Sequence, residues 1–373
     1  MFPLAPPYVS GLIPYVPGKS IEETRAKYGL RQITKLGSNE NPFGPSPKAI
    51  RAAQKALKES HLYPVAHRDD LARKICEYHP NIDIGLENIL LGNGSNELIV
   101  LMVRAFLDVN EFLLNAWPSF SVYRLSSQAH GRRELAVSLD ENLNYDLDAL
   151  LAKANGKHKD QIKLLFLANP NNPTGQYIPR QKLERFLNQL PEHIVVAIDE
   201  AYVEYATQED YDTALDFALK RPRTVVLRTF SKIFGLAGLR LGYAIGDPHI
   251  ISILHRIRDP FNVNNVAQAA AIGALEDTAH LKRTQANNAQ ELPKMRMRLQ
   301  GLGIRTHESA GNFVLMQLPD GWPSGSEMCE MLLRKGVIVR NVDNYDLPRC
   351  VRVTIGTSRE NTRFIKVLTG VCK

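Results

Sequence analysis

The sequence predicts an α/β protein, a doubly wound and mainly parallel sheet joined to a smaller α+β domain. Three observations predict it. The chain has 373 residues, a length that suits two domains better than one or four. Short runs that are apolar throughout alternate with amphipathic helical stretches, the pattern of strands covered on both faces. Near the C-terminal end that alternation gives way to a long helical stretch and several short apolar runs.

Taken in order, residues 1–45 form an arm rich in Pro and Gly, with one short helix over Ile21–Tyr28, and contribute part of the small domain. Helical spacing of Ile50, Ala53 and Leu57 after a proline start predicts a helix over Ser46–Lys58. A recurrent unit follows. Ile89–Leu91 is a strand, Gly92–Gly94 a turn and Asn96–Phe106 a helix; Ile162–Ala168 is a strand, Asn169–Gly175 a turn and Pro179–Leu190 a helix. Ile194–Ile198 and Thr224–Leu227 are further strands of β-branched and apolar residues. Residues 46–262 are therefore assigned to the large domain and 263–373 to the small one. In the latter, a helix through Gln285–Gln300 precedes short strands at Asn312–Met316, Val337–Val339 and Val351–Ile355.

Composition excludes several classes. At 44% hydrophobic and 23% charged, the chain is neither disordered nor collagen-like. Its formal charge of +7 admits nucleic acid, an acidic membrane surface or small anions as partners. Cys76, Cys329, Cys350 and Cys372 make no C-x-x-C pair, which favours a reducing, cytoplasmic compartment. The N-terminal stretch lacks a basic segment leading into an apolar one and does not read as a signal peptide. No apolar run approaches the roughly 18 residues of a membrane span. The histidines, His61 and His67 included, show no metal-ligand spacing, so no metal site is expected.

Two stretches carry chemistry. Gly92-Asn-Gly-Ser-Asn-Glu97 lies between a strand and a helix. Its backbone amides suit either a phosphate cradle or a plain helix-capping turn. The third glycine of a dinucleotide fingerprint is absent, and so is a Walker lysine. In Thr229-Phe-Ser-Lys232, which runs on to Arg240, the lysine sits beside Phe230, Ile233 and Phe234. Apolar surroundings lower a lysine pKa, as a Schiff-base lysine requires. Thr229, Ser231 and Arg240 add the hydroxyls and guanidinium that suit a phosphate ester.

The segment Ser231-Lys-Ile-Phe-Gly-Leu-Ala-Gly-Leu-Arg240 resembles the lysine motif of fold-type I pyridoxal-phosphate aminotransferases. Asn169-Pro-Asn-Asn-Pro-Thr-Gly175 and Asp199-Glu-Ala-Tyr202 match two more of that family's motifs in its order. Within the group, the chain is similar to histidinol-phosphate aminotransferases. Ser38-Asn-Glu-Asn-Pro-Phe-Gly-Pro45, Tyr63-Pro64, Gly92–Glu97, Pro118-Ser-Phe120 and Val351-Arg-Val-Thr-Ile-Gly356 carry that likeness.

The resemblance implies a pyridoxal 5'-phosphate cofactor in Schiff-base linkage to Lys232, whose amine then shuttles a proton. Asp199 would pair with the pyridine nitrogen, while Tyr202 and Asn172 would hydrogen-bond the phenolic oxygen. Phe120, where the family more often carries Tyr, would stack on the ring. The phosphate would be held by Gly94, Ser95 and Asn96, where many relatives have Asp at the last position. Thr229, Ser231 and Arg240 would join them, with Tyr63 reaching in from the neighbouring subunit of a homodimer. Tyr15, Asn39, Arg340 and Arg352 would bind substrate. The activity implied is transamination between histidinol phosphate and 2-oxoglutarate, with small-molecule partners and neither nucleic acid nor membrane. Three alternatives remain: an aromatic amino-acid aminotransferase, a phosphoamino-acid decarboxylase using the same cofactor, and a non-catalytic nucleic-acid-binding protein on the same scaffold.

Overall fold

Runs that are apolar on both sides become the central sheet, because only a doubly covered strand buries both sets of side chains. The computed structural model describes residues 4–64 and 69–371; His67 and Cys372 lie outside them. After β1 (Thr34–Lys35) come β2 (Ile89–Gly92), β3 (Phe112–Trp117), β4 (Arg133–Ser138), β5 (Ile162–Ala168), β6 (Val195–Asp199), β7 (Thr224–Thr229) and β8 (Gly242–Gly246). The large sheet runs β2-β8-β7-β6-β5-β3-β4. Strands β3 to β7 pair in parallel, and β8 is antiparallel to both β7 and β2.

Alternation along each strand feeds two layers. Leu165 and Leu167 of β5, with Val196 and Ile198 of β6, face one core. Leu164, Phe166, Val195 and Ala197 face the other. The expected strands at 89–91, 162–168, 194–198 and 224–227 all form within a residue or two. Strands β3, β4 and β8 were not anticipated, each for a local reason. Asn115 interrupts the apolar run of β3, β4 is an edge strand carrying Arg133 and Glu134, and β8 has a glycine at each end.

The small domain contains β9 (Arg305–Thr306), β10 (Phe313–Gln317), β11 (Val337–Ile338), β12 (Arg340–Asn341) and β13 (Cys350–Thr354). Four of these form an antiparallel sheet in the order β12-β13-β10-β9, and β1 pairs with β11 in parallel. Leu36 joins Val314, Val353 and Phe364 in this core, so both ends of the chain build the domain.

The first helix after residue 263 packs with the large core rather than the small one. The helix Asn265–Leu275 packs on the helix Pro47–Ala56 as part of the large core, through Ala267, Ala270, Ala271 and Ala274. A side chain at Gly273 would meet the Lys48 carbonyl at 2.7 Å, so the small residues are what allow the two helices to approach. The long helix Thr278–Gln300 then crosses between domains. Its Leu281 packs on the large core, and its Met295 and Leu299 belong to the small one.

Candidate active site

Parallel strands end on one edge of a sheet, and ligands gather outside their carboxyl ends. There β6 delivers Asp199, which is 4% exposed. The Tyr123 hydroxyl donates to its Oδ2 at 2.8 Å and the Ala201 N–H to its Oδ1 at 3.1 Å. Burial outweighs these bonds and the nearby Lys232, and raises the carboxyl pKa to about 6. The next residue, Glu200, pins the strand end. Its Oε2 accepts from Arg228 Nε at 3.0 Å and Nη2 at 2.7 Å, and its Oε1 from the Ala214 N–H at 2.6 Å. A carboxylate bonded in this way to a buried guanidinium is expensive to displace.

Lys232 follows β7 after a turn in which the Ser231 N–H donates to Thr229 Oγ1 at 3.1 Å. Its Nζ lies 3.4 Å from the Ser38 carbonyl and 5.6 Å from the centre of the Tyr202 ring. Burial, and then the positive charge of Arg352, lower its pKa to about 8. Such an amine is substantially neutral at mildly alkaline pH, the form that attacks carbonyls and accepts protons.

Both groups face a cavity of about 600 Å³. Ser95, Asn96, Phe120, Asn172, Tyr202, Thr229, Ser231, Arg240 and Tyr15 line it as well. Phe120 is held edge-on against Tyr123, which itself lies flat on Phe166 with ring centres 4.6 Å apart.

At one end the helix Gly94–Phe106 begins with no side-chain cap, because Asn93 turns away to donate to the Asn262 carbonyl at 2.6 Å. The first-turn N–H groups therefore have no capping side chain, an arrangement that suits an anion as well as water. Gly94 is left-handed (φ 74°), and a Cβ there would lie 2.7 Å from Arg240 Nη2. Below it, a Cβ on Gly242 would meet the Ser95 amide at 2.6 Å. Glycine at both positions brings the helix start, Arg240 and the Thr229–Ser231 hydroxyls close together. Arg240 Nη1 donates to Ser231 Oγ at 3.4 Å.

At the opposite side stand polar groups contributed by both domains. Asn172 Oδ1 accepts from Arg352 Nη1, whose Nη2 donates to the Gly37 carbonyl at 2.9 Å. Arg352 is 6% exposed, and its Nε has no hydrogen-bond partner among the described residues. Cross-strand pairing sets Arg352 directly opposite Arg340. Arg352 lines neither this cavity nor its neighbour, and Arg340 does not line the main one. Arg340 faces the adjoining one of about 580 Å³, and Tyr15 lines both. The Arg340 guanidinium lies 5.4 Å from the Tyr15 ring centre, and its Nη2 donates to the Val16 carbonyl at 3.0 Å. Asn39 departs from its expected place. Ser38 and Glu40 line the cavity, but Asn39 between them is 1% exposed and binds the Tyr202 hydroxyl and Thr354 instead. Tyr63 is 78% exposed, stacked on Phe261, and does not reach this chain's own cavity.

Sequence reasoning missed Tyr123, Ser38 and the Arg228–Glu200 pair. Tyr123 had a signal in its position three residues after Phe120, at the start of the helix Val122–Ala129. The Arg228–Glu200 contact spans 28 residues and had none. No group of three or more potential metal-ligating side chains occurs among the described residues, and none of their helices is long and apolar enough to cross a membrane.

A model of the family "Aminotransferase class I and II" matches residues 31–368. The histidinol-phosphate aminotransferase of Anaeromyxobacter sp. (strain Fw109-5) is 43% identical over 366 residues, 98% of each chain. Histidinol-phosphate aminotransferase 1 of Nitrosococcus oceani is 41% identical over 370 residues, 99% of this chain and 97% of its own. Among solved structures, histidinol-phosphate aminotransferase from Sinorhizobium meliloti in complex with pyridoxal-5'-phosphate superposes with a TM-score of 0.87 at 26% identity, covering 100% of this chain and 99% of that one. With the lysine, the strand-end carboxylate and the uncapped helix start facing one cavity, the chain belongs to the class I and II aminotransferase family.

Proposed function

We infer that the protein is a cytoplasmic, homodimeric, pyridoxal-phosphate-dependent aminotransferase of histidine biosynthesis. It exchanges the amino group of histidinol phosphate with 2-oxoglutarate, giving imidazole-acetol phosphate and glutamate. The residues present fit the cofactor. The free helix start with Ser95, Asn96, Thr229, Ser231 and Arg240 suits its phosphate, and Asp199 is a buried carboxylate in want of a cation. Tyr202 and Asn172 suit its phenolic oxygen, and Phe120 supplies an apolar face. When bound, the cofactor supplies an electron sink for the pair left as the substrate Cα–H proton departs.

The chain's own residues do the rest. Lys232 Nζ, with its lowered pKa, takes that proton and returns it. Asp199 would hold the ring nitrogen protonated, because a nearby carboxylate favours the cationic form.

The observation that carries the substrate reading is the Arg340–Arg352 pair. Directly opposite residues on antiparallel strands share a face, where two like charges repel unless an anion lies with them. A phosphate-bearing substrate reaching from the main cavity toward the adjoining one would be drawn by both positive charges. The apolar wall of Phe120, Val122 and Leu125 would also accept a phenyl ring, so the deciding experiment compares kcat/KM for histidinol phosphate and phenylalanine. Histidinol phosphate is expected to win by about tenfold or more. A preference of that size for phenylalanine would reassign the enzyme to aromatic amino acids.

The homodimer rests on Tyr63 and Phe261, an exposed aromatic pair away from this chain's own cavity and suited to completing that of a second copy. Sedimentation of active enzyme is expected at the dimer mass. A fully active monomer would contradict a shared site.

A further inference from the structure

The Tyr202 hydroxyl has one proton, and its neighbours determine where that proton points. Asn39 Nδ2 donates to the Tyr202 oxygen at 2.9 Å. An amide nitrogen cannot accept, so the phenol must give its own proton elsewhere. Asn39 is held in that orientation by Thr354. The Asn39 N–H donates to Thr354 Oγ1 at 2.9 Å, and Thr354 Oγ1 donates to Asn39 Oδ1 at 3.0 Å. Turning the amide over would set a second donor against an oxygen that already accepts one, and would leave a buried hydroxyl proton without its acceptor. Asn39, Thr354 and Tyr202 are 1%, 3% and 4% exposed, so water does not substitute for any of these bonds.

We propose that Asn39 and Thr354 are positioning residues which orient the Tyr202 proton into the active-site cavity, as a donor for an oxygen anion bound there. The proposal rests on the reading of the cavity as a pyridoxal-phosphate site, where that anion is the cofactor's phenolic oxygen. It also gives the small domain a part in the chemistry. Thr354 lies on β13, the Asn39 carbonyl accepts from Asn312 Nδ2 at 3.1 Å beside β10, and Tyr202 belongs to the large domain. The relay is complete only with the two domains in this arrangement. Asn39 has φ 55°, a left-handed conformation that Asn and Asp tolerate better than other side chains.

The test is a pH titration of the visible absorption band of lysine-bound pyridoxal phosphate. Asn39→Asp keeps size and backbone preference but replaces the donor with an acceptor, which takes the Tyr202 proton for itself. The band midpoint should rise by about one pH unit or more, because a donated hydrogen bond favours the anionic form of the oxygen. Thr354→Val should move it the same way, and Thr354→Ser should restore it. The charged groups facing Tyr202 are Arg352, Asp199 and Lys232, all retained in these variants.

In a Tyr202→Phe background, Asn39→Asp and Thr354→Val should produce no further shift. An Asn39→Asp shift of equal size in that background would reduce the effect to the field of a new carboxylate and overturn the relay. An unchanged midpoint in yellow Asn39→Asp and Thr354→Val proteins would overturn it too. A wild-type protein that forms no band with pyridoxal phosphate would overturn the reading of the site and the proposal with it.

Discussion

Lys232→Ala is expected to cut turnover by at least about 10⁴-fold, the upper end of what a positioned proton-transfer group contributes. The fold should survive, with unchanged circular dichroism. Two roles end together, attachment of the cofactor and movement of the substrate proton, and among the described residues no other lysine lines the cavity. The lowered pKa supplies a companion result. The neutral amine is the nucleophile, so the rate at which apoprotein develops its visible band with pyridoxal phosphate should rise with pH and level off above about 8. Stability follows the same group. A lysine whose folded pKa lies below its unfolded value disfavours the fold while charged. Apoprotein stability should therefore rise with pH from about 8 toward the ordinary lysine value, and the variant should lose that slope. Normal transamination by Lys232→Ala would remove the site assignment altogether.

The sequence made legible what is carried by contiguous residues. Lys232, Asp199, Tyr202, Asn172 and the Gly94–Asn96 helix start each lie at a strand end, in the turn that follows one, or in the first turn of a helix, where local pattern and position coincide. Strand β5 was readable to the residue, because every position of Ile162–Ala168 except Lys163 is apolar and turns flank it. Three things were not readable, and each depends on contacts distant in the chain. The helix Asn265–Leu275 joins the large core because its alanines meet Ala49 and Ala53, which no local rule reveals. Arg228 and Glu200 stabilise the Asp199 strand end across neighbouring strands. Asn39 sat inside a recognisable motif, yet its side chain turns from the cavity toward a threonine 315 residues away. A motif identifies the residue; the long-range partner decides which way it faces.

Asp199→Asn is expected to separate function from stability in opposite directions. Loss of the carboxylate should lower kcat/KM by about 10²–10³-fold, the scale on which removal of one aimed electrostatic partner is felt. The apoprotein should at the same time become more stable at neutral pH. Asp199 has its pKa raised by burial to about 6, well above the ordinary carboxylate value. Between those two values the folded protein binds more protons than the unfolded chain, so stability falls as pH rises through the window and the full cost persists above it. A shift of that size corresponds to at most about 3 kcal/mol. Asn carries no charge at any of these pH values, and its amide can still meet the Tyr123 hydroxyl and the Ala201 N–H, now at 2.8 and 3.1 Å from the carboxylate. Urea unfolding of apoprotein from about pH 4 to pH 7 measures the difference: Glu204, whose pKa burial raises to about 7, weakens both proteins over this range, so wild type should lose more stability than the variant. Adding pyridoxal phosphate should stabilise wild type more than the variant, because only wild type sets a carboxylate against the ring nitrogen. If both proteins lose stability equally across that window, the buried charge that the site depends on resides on some other group.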